Sequence, residues 1–208
     1  MEPIIIAVIG APGVGKTFLV KKLAHYLKAE TILENVDEMP TQIIENFKEN
    51  IRQMETILWF RNKCIKDIEE ALKLKSQGKI VVMDTYLISN ELHITTMTAG
   101  FEQEILLEQA HFDRKYIPKP DVVLFLDASE SKIKELTLQR GRDFDTTEKF
   151  IQRNLSIRKA HQDYYHKNKN SLIYINRDTM DFENLEDIKH IVDEIKKFLE
   201  KFTIEEGN

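Results

Sequence analysis

The 208-residue chain is 42% hydrophobic and 31% charged, enough for one α/β domain with its own core and no need of disulfides or metals to hold it. Its formal net charge of −5 gives no general attraction to nucleic acid or anionic lipid, so an anion site has to be a local arrangement of donors. The single cysteine, Cys64, excludes an internal disulfide and reads as a buried, inert thiol in a reducing cytosol. Met1-Glu2-Pro3 carries no basic region, and the apolar run from Ile4 to Ile9 is far too short to span a membrane. The expectation is a cytoplasmic protein without a targeting segment and with no membrane or nucleic-acid partner.

In chain order, Ile4-Ile5-Ile6-Ala7-Val8-Ile9 is a β-branched apolar run, the pattern of a strand buried on both faces of a parallel sheet. Phe18, Leu19, Leu23 and Leu27 then recur at helical spacing from Thr17 to Leu27. Thr31-Ile32-Leu33 reads as a second strand, and the apolar positions from Ile44 to Leu72 predict one long helix over about 41–76. After Gly78, Ile80-Val81-Val82-Met83 is a third strand ending at Asp84. Helical segments run to about Tyr116, and Pro118 and Pro120 precede a fourth strand, Val122 to Leu126, ending at Asp127. Helices are expected over about 131–140 and 147–168, with a fifth strand at Leu172 to Ile175. Asn184 suits the N-cap of a last helix carrying Leu185, Ile188, Ile191, Val192, Ile195 and Phe198. No repeat or Pro/Ser-rich linker divides the chain. Five buried strands alternating with helices predict a parallel sheet covered on both faces. Ligands of such sheets lie beyond the carboxyl ends of the strands, which draws attention to the loop after Ile9 and to Glu34, Asp84 and Asp127.

Gly10-Ala11-Pro12-Gly13-Val14-Gly15-Lys16-Thr17 matches G-x-x-x-x-G-K-[ST] at every fixed position, between a buried strand and an amphipathic helix. The glycines let backbone N–H groups approach phosphate oxygens, and the helix N-terminus adds free donors and positive dipole. Lys16 supplies a charge to the β- and γ-phosphates, and the Thr17 hydroxyl can ligate magnesium. The motif therefore implies ATP with Mg2+. Arg140-Gly141-Arg142-Asp143 places two arginines in a polar turn after a helix, where they can offset the charge of phosphoryl transfer or merely face solvent. Glu34 and Asp84 end strands on the ligand side; a carboxylate there can take a proton from an attacking hydroxyl or hold the metal. Trp59 and Phe60 can stack on a base or pack in the core. His161 and His166, five apart on a helix, do not make a metal-ligand pair, and Asp127 and Glu130 read as solvated acids.

With these residues in hand, the whole chain resembles the deoxynucleoside kinase family of P-loop kinases, kin of the thymidylate kinases. The lid, Gln139-Arg140-Gly141-Arg142-Asp143-Phe144-Asp145, is most similar to that of bacterial purine deoxynucleoside kinases. The resemblance implies a P-loop kinase fold over residues 1–208, a short lid at about 140–148, and homodimers. It implies that Glu34, in Leu33-Glu34-Asn35-Val36, is the catalytic base, with asparagine where the family has proline. Asp145 would contact the substrate sugar and Gln53 is the nearest candidate for reading the base, with Trp59 beside it. Two departures stand out. Asp84-Thr85-Tyr86 keeps the family's acid and loses its arginine, and Phe47-Lys48 lacks a sugar-contacting tyrosine. The leading expectation is ATP-dependent phosphorylation of a deoxynucleoside 5′-hydroxyl, with Glu34, Lys16, Arg140 and Arg142 catalytic and Thr17 and Asp84 on the metal. A thymidylate kinase-like monophosphate kinase and a nucleotide-dependent switch or assembly factor with weak transfer remain as alternatives.

Overall fold

The computed structural model describes residues 2–35, 38–141 and 147–205, with side chains as far as residue 201. The elements run β1 (Ile5–Ile9), α1 (Lys16–Leu27), β2 (Glu30–Ile32), α2 (Thr41–Glu49), α3 (Gln53–Ser76), β3 (Val81–Asp84), α4 (Leu87–Met97), α5 (Gly100–Tyr116), β4 (Val122–Asp127), α6 (Glu130–Arg140), α7 (Glu148–Lys167), β5 (Ile173–Asn176) and α8 (Leu185–Glu205). The five strands form one sheet in the order β2-β3-β1-β4-β5, and every pairing is parallel. Among the described residues no helix is long and apolar enough to cross a membrane.

β1 shows why the sheet needs cover on both sides. Successive side chains of a strand point to opposite faces. Ile6 and Val8 enter one core with Leu19 and Leu23 of α1 and Ile191 and Ile195 of α8. Ile5, Ala7 and Ile9 enter a second core with Ile68 and Ala71 of α3 and Leu87 and Ile88 of α4. Burying each of these large aliphatic side chains stabilises the fold by about 1.5–3 kcal/mol, and a helix layer on each face is what removes all five β1 positions from water.

All five expected strands are present to within a residue or two. The expected single helix over 41–76 is instead two helices. Asn50 and Arg52 adopt left-handed backbone, φ 58° and 46°, which ends α2 and starts α3 at an angle. Asn tolerates that conformation as a helix C-cap. The junction is held by Gln53, whose Nε2 donates to the carbonyls of Asn46 and Ile51, both at 3.1 Å. At the far end, Asn184 Oδ1 accepts the Glu186 N–H at 2.9 Å, so the expected cap on α8 is in place.

Candidate active site

β1 lies between β3 and β4, so the loop leaving its carboxyl end is flanked by the ends of both neighbours. At Gly10 a Cβ would stand 2.2 Å from the Leu126 carbonyl oxygen, and at Gly13, with φ +85°, it would stand 2.3 Å from Thr137 Oγ1 of α6. Only glycine lets the loop pack that tightly between β4 and α6. Ala11 and Val14 send their side chains down into the core, while Gly10, Pro12, Gly13, Gly15, Lys16 and Thr17 line a cavity of about 520 Å3. The Lys16 ammonium donates to the carbonyls of Gly10 at 3.1 Å and Ala11 at 3.3 Å. It is thus carried across the mouth of the loop, beside the free N–H groups at the start of α1.

Asp84, the last residue of β3, lines the same cavity and is 3% exposed. Its Oδ2 accepts the Thr17 hydroxyl, and its Oδ1 is buried without a partner among the described residues. A hydroxyl and a carboxylate oxygen side by side, one lone pair unclaimed, suit the hard oxygen coordination of Mg2+, which typically takes one or two protein oxygens and completes its shell with water and phosphate. That two-oxygen arrangement agrees with the lack, among the described residues, of any cluster of three or more His, Cys, Asp or Glu. The next residue, Thr85, is β-branched at φ 77°, with its N–H donating to the Val8 carbonyl at 3.0 Å. Backbone strain of this kind gathers at functional sites.

The other wall of the cavity comes from Glu34 after β2 and from α2, α3 and α4. The Cys64 thiol is buried here, and burial first and the Glu34 carboxylate second push its pKa up, which places Glu34 close by. Lys63 and Asp67 pair at 2.7 Å one helical turn apart on α3 and both line the cavity. Burial raises the Asp67 pKa, against the pull of Lys63. Tyr86 is raised to about 12, chiefly by burial. His93 of α4 also lines the cavity. Burial lowers its pKa to about 4, and the Lys16 and Arg153 charges act in the same direction. Its Nδ1 donates to the Ser89 carbonyl at 2.6 Å. Below it, His161 of α7 is lowered to about 3 by burial and by His93. His161 stacks on Phe125 and sits 3.3 Å from Ser89 Oγ.

The sequence-predicted residues fall into three groups. Lys16, Thr17, Glu34, Asp84 and Arg140 meet in the one cavity. Gln53 and Trp59 are not among its lining residues. Gln53 is spent on the α2–α3 junction, and Trp59 lies edge-on to Phe60 with ring centroids 5.0 Å apart; Phe60 is the aromatic that faces inward. Arg142 and Asp145 lie outside the described residues. One further expectation is corrected. Asp127 is no solvated acid: at 5% exposure it receives Arg158 Nε at 2.9 Å, Arg158 Nη2 at 3.3 Å and Gln162 Nε2 at 2.8 Å, fixing α7 to the end of β4. Arg61 of α3 is bound by Asp113 of α5 at 2.5 and 2.6 Å. Phe47, which stands at the family's aromatic position, lines the cavity. Sequence reasoning missed Thr56, Lys63, Asp67, His93 and Asn154, which line it too; no local motif marks them, because helix packing alone brings them together.

Residues 5–177 match the AAA domain family. The chain is 31% identical over 149 residues to the deoxyadenosine/deoxycytidine kinase of Bacillus subtilis (strain 168), covering 68% of this chain and 67% of that one. It is 27% identical over 143 residues to the deoxyguanosine kinase of the same organism, covering 67% and 68%. Among solved structures it is similar to the deoxyadenosine kinase of M. mycoides with the products dCMP and dCDP bound, with TM-score 0.71, 16% identity and coverage of 93% and 99%. It is also similar to the thymidylate kinase of Candida albicans, with TM-score 0.66, 15% identity and coverage of 95% and 94%. Fold and sequence agree: the chain belongs to the AAA domain family, which its residues 5–177 match, and to the deoxynucleoside kinase family of P-loop kinases.

Proposed function

We propose that this protein transfers the γ-phosphoryl group of ATP to the 5′-hydroxyl of a deoxynucleoside. The observation that carries the reading is the meeting of Lys16, Thr17, Asp84, Glu34 and Arg140 around one cavity. The hydroxyl oxygen attacks the γ-phosphorus, the bond from that phosphorus to the β–γ bridging oxygen breaks, and ADP departs. Glu34 takes the proton, because an alcohol has to lose it as it attacks. Lys16 and the lid arginines Arg140 and Arg142 offset the charge on the transferring group. Thr17 and Asp84 would hold Mg2+, which would supply further charge neutralisation to the transferring phosphate.

The acceptor wall favours a nucleoside over its monophosphate. Glu34 presents a carboxylate there, the Lys63 and Asp67 charges offset each other, and Arg61 is held by Asp113. A phosphate dianion entering that wall would meet like charge, whereas a neutral nucleoside would not. A thymidylate kinase-like acceptor is therefore the weaker reading, and the kinase relatives argue against a switch with little transfer. The cytosol is the compartment that suits the free thiol of Cys64. A second copy of the chain is the partner implied by the family, and Phe101, Ile105, Phe112 and Tyr116 of α5, all exposed, lie along one helical stripe that it could cover.

The test compares kcat/KM for each of the four deoxynucleosides with that for its monophosphate, using wild type and Glu34→Gln. The expected result is preference for nucleosides and loss of most of the rate in Glu34→Gln with ATP binding retained. A preference for monophosphates, or a Glu34→Gln enzyme as fast as wild type, overturns the reading.

A further inference from the structure

Three cavity-lining side chains with no part in the chemistry above carry a buried polar atom without a hydrogen-bond partner among the described residues: Tyr86, through its hydroxyl, and Thr56 and Asn154, which come from the two helices α3 and α7. Thr56, in the first turn of α3, is 0% exposed, and Asn154, in the first half of α7, is 3% exposed. Thr56 Oγ1 and Asn154 Nδ2 are each buried without a hydrogen-bond partner among the described residues, and both residues line the cavity.

The Thr56 hydroxyl departs from a habit of this chain. Several hydroxyls in helices or at their ends bond back to a carbonyl of the preceding turn: Ser76 to Lys73 at 2.7 Å, Thr96 to Leu92 at 3.2 Å, Thr98 to Ile94 at 2.8 Å and Ser156 to Gln152 at 3.1 Å; Thr137 of α6 is buried without a partner as Thr56 is, but does not line the cavity. Ser156 bonds back only two residues from Asn154. Thr56 stands where the preceding turn is broken, because Arg52, four residues back, is left-handed. A buried polar group left without a partner costs free energy, and native folds keep few of them. Three in the wall of one cavity, with the Tyr86 hydroxyl, are accounted for if a ligand completes them.

The surroundings indicate which ligand. Ile57, Phe60 and Met97 give the slot apolar walls, and His93 is fixed and neutral beside it. Walls of this kind with a few convergent polar groups suit a small molecule with one flat apolar ring and a limited number of polar groups. The Gln53 Nε2 donates to backbone carbonyls and Gln53 does not line the cavity, so donation to the acceptor falls to other residues. Resting on the function proposed above, we propose that Thr56 and Asn154 are specificity-determining residues that jointly hydrogen-bond one polar group of the acceptor nucleoside. Asn154 supplies N–H donors, and the Thr56 hydroxyl either donates or accepts. A sugar hydroxyl and the polar edge of a base share the chemistry that this pair takes.

The experiment uses the full chain and the variants Thr56→Val, Thr56→Ser, Asn154→Leu and Asn154→Ala. Thr56→Val and Asn154→Leu should leave the melting temperature of the ligand-free protein unchanged or raise it, since each removes an unsatisfied buried group. Thr56→Val and either Asn154 variant should lower kcat/KM for the best deoxynucleoside by about tenfold or more, as loss of a hydrogen bond does, while ATP affinity holds. Thr56→Ser should restore much of the rate. The same measurements on the 3′-deoxy analogue, and on an analogue lacking the polar substituent of the base, identify the group held: the variant loses nothing further on the analogue that already lacks it. Variants with unchanged kcat/KM and a lowered melting temperature, or with the same loss on every analogue, overturn the proposal while wild-type activity leaves the kinase reading intact. A wild type that phosphorylates none of the four deoxynucleosides overturns both.

Discussion

Asp84 Oδ2 accepts the Thr17 hydroxyl while Asp84 Oδ1 stays buried and unpartnered, so one carboxylate from β3 both steadies the phosphate loop and keeps an oxygen free. Asp84→Asn preserves an acceptor for Thr17 and removes the charge. Loss of a group at this position typically costs about 10–100-fold in metal affinity. The Mg2+ concentration for half-maximal activity should therefore rise by that order with little change in melting temperature. An unaltered Mg2+ requirement would remove Asp84 from the metal site.

Gly13→Ala should weaken ATP binding for two separable reasons. The added Cβ meets Thr137 Oγ1 at 2.3 Å, and the φ of +85° is unfavourable for any L side chain, at a cost of about 1–3 kcal/mol. Thr137→Ala removes the first and leaves the second. The double variant should recover part of the ATP affinity lost by Gly13→Ala, and titration of ATP into the three proteins measures how much. Full recovery would show that backbone strain plays no part.

Asp127→Ala should be strongly destabilising, by about 3–5 kcal/mol, because it strands the largely buried Arg158 without its counter-charge. Thermal or denaturant unfolding measures this directly. Replacing both partners with apolar residues of similar volume should recover much of the loss.

His93, half-buried in the cavity wall, and the buried His161 set the acid limit of stability. Folded pKa values of about 4 for His93 and about 3 for His161, each lowered first by burial, lie below the unfolded value of about 6.5. Between those values the unfolded chain binds more protons than the folded one, so stability rises with pH. The contribution is complete above about pH 6.5 and is lost as pH falls toward 4, by at most about 1.4 kcal/mol per pH unit for each ring. Melting temperature should fall steeply from pH 6.5 to 4.5, and His161→Phe should flatten the slope. An identical slope in that variant would show that His161 titrates normally.

The sheet and the phosphate loop were legible because their signals are local. A strand buried on both faces is a run of β-branched residues, and the loop is a fixed spacing of glycines and a lysine. The strand-end acids were not separable in the same way. Asp84 and Asp127 each close an apolar strand, and only the arrival of Arg158 from α7 makes Asp127 a structural anchor. The α2–α3 break was hidden because Arg52, a good helix former, takes a left-handed backbone there. Thr56 and Asn154 were invisible for a third reason: what distinguishes them is a hydrogen bond not made, which no sequence pattern records.

The central position of β1 also bears on how the chain can be synthesised and cut. Ile5 pairs with Val81 on one side, and Ile6 with Val122 on the other. β1 thus waits for the fourth strand before both its edges are covered. Long-range parallel pairing of this kind slows folding and prolongs exposure of sticky strand edges. Fragments ending before residue 122 would leave β1 as an open edge, and aggregation rather than a smaller working domain is the outcome to expect of them.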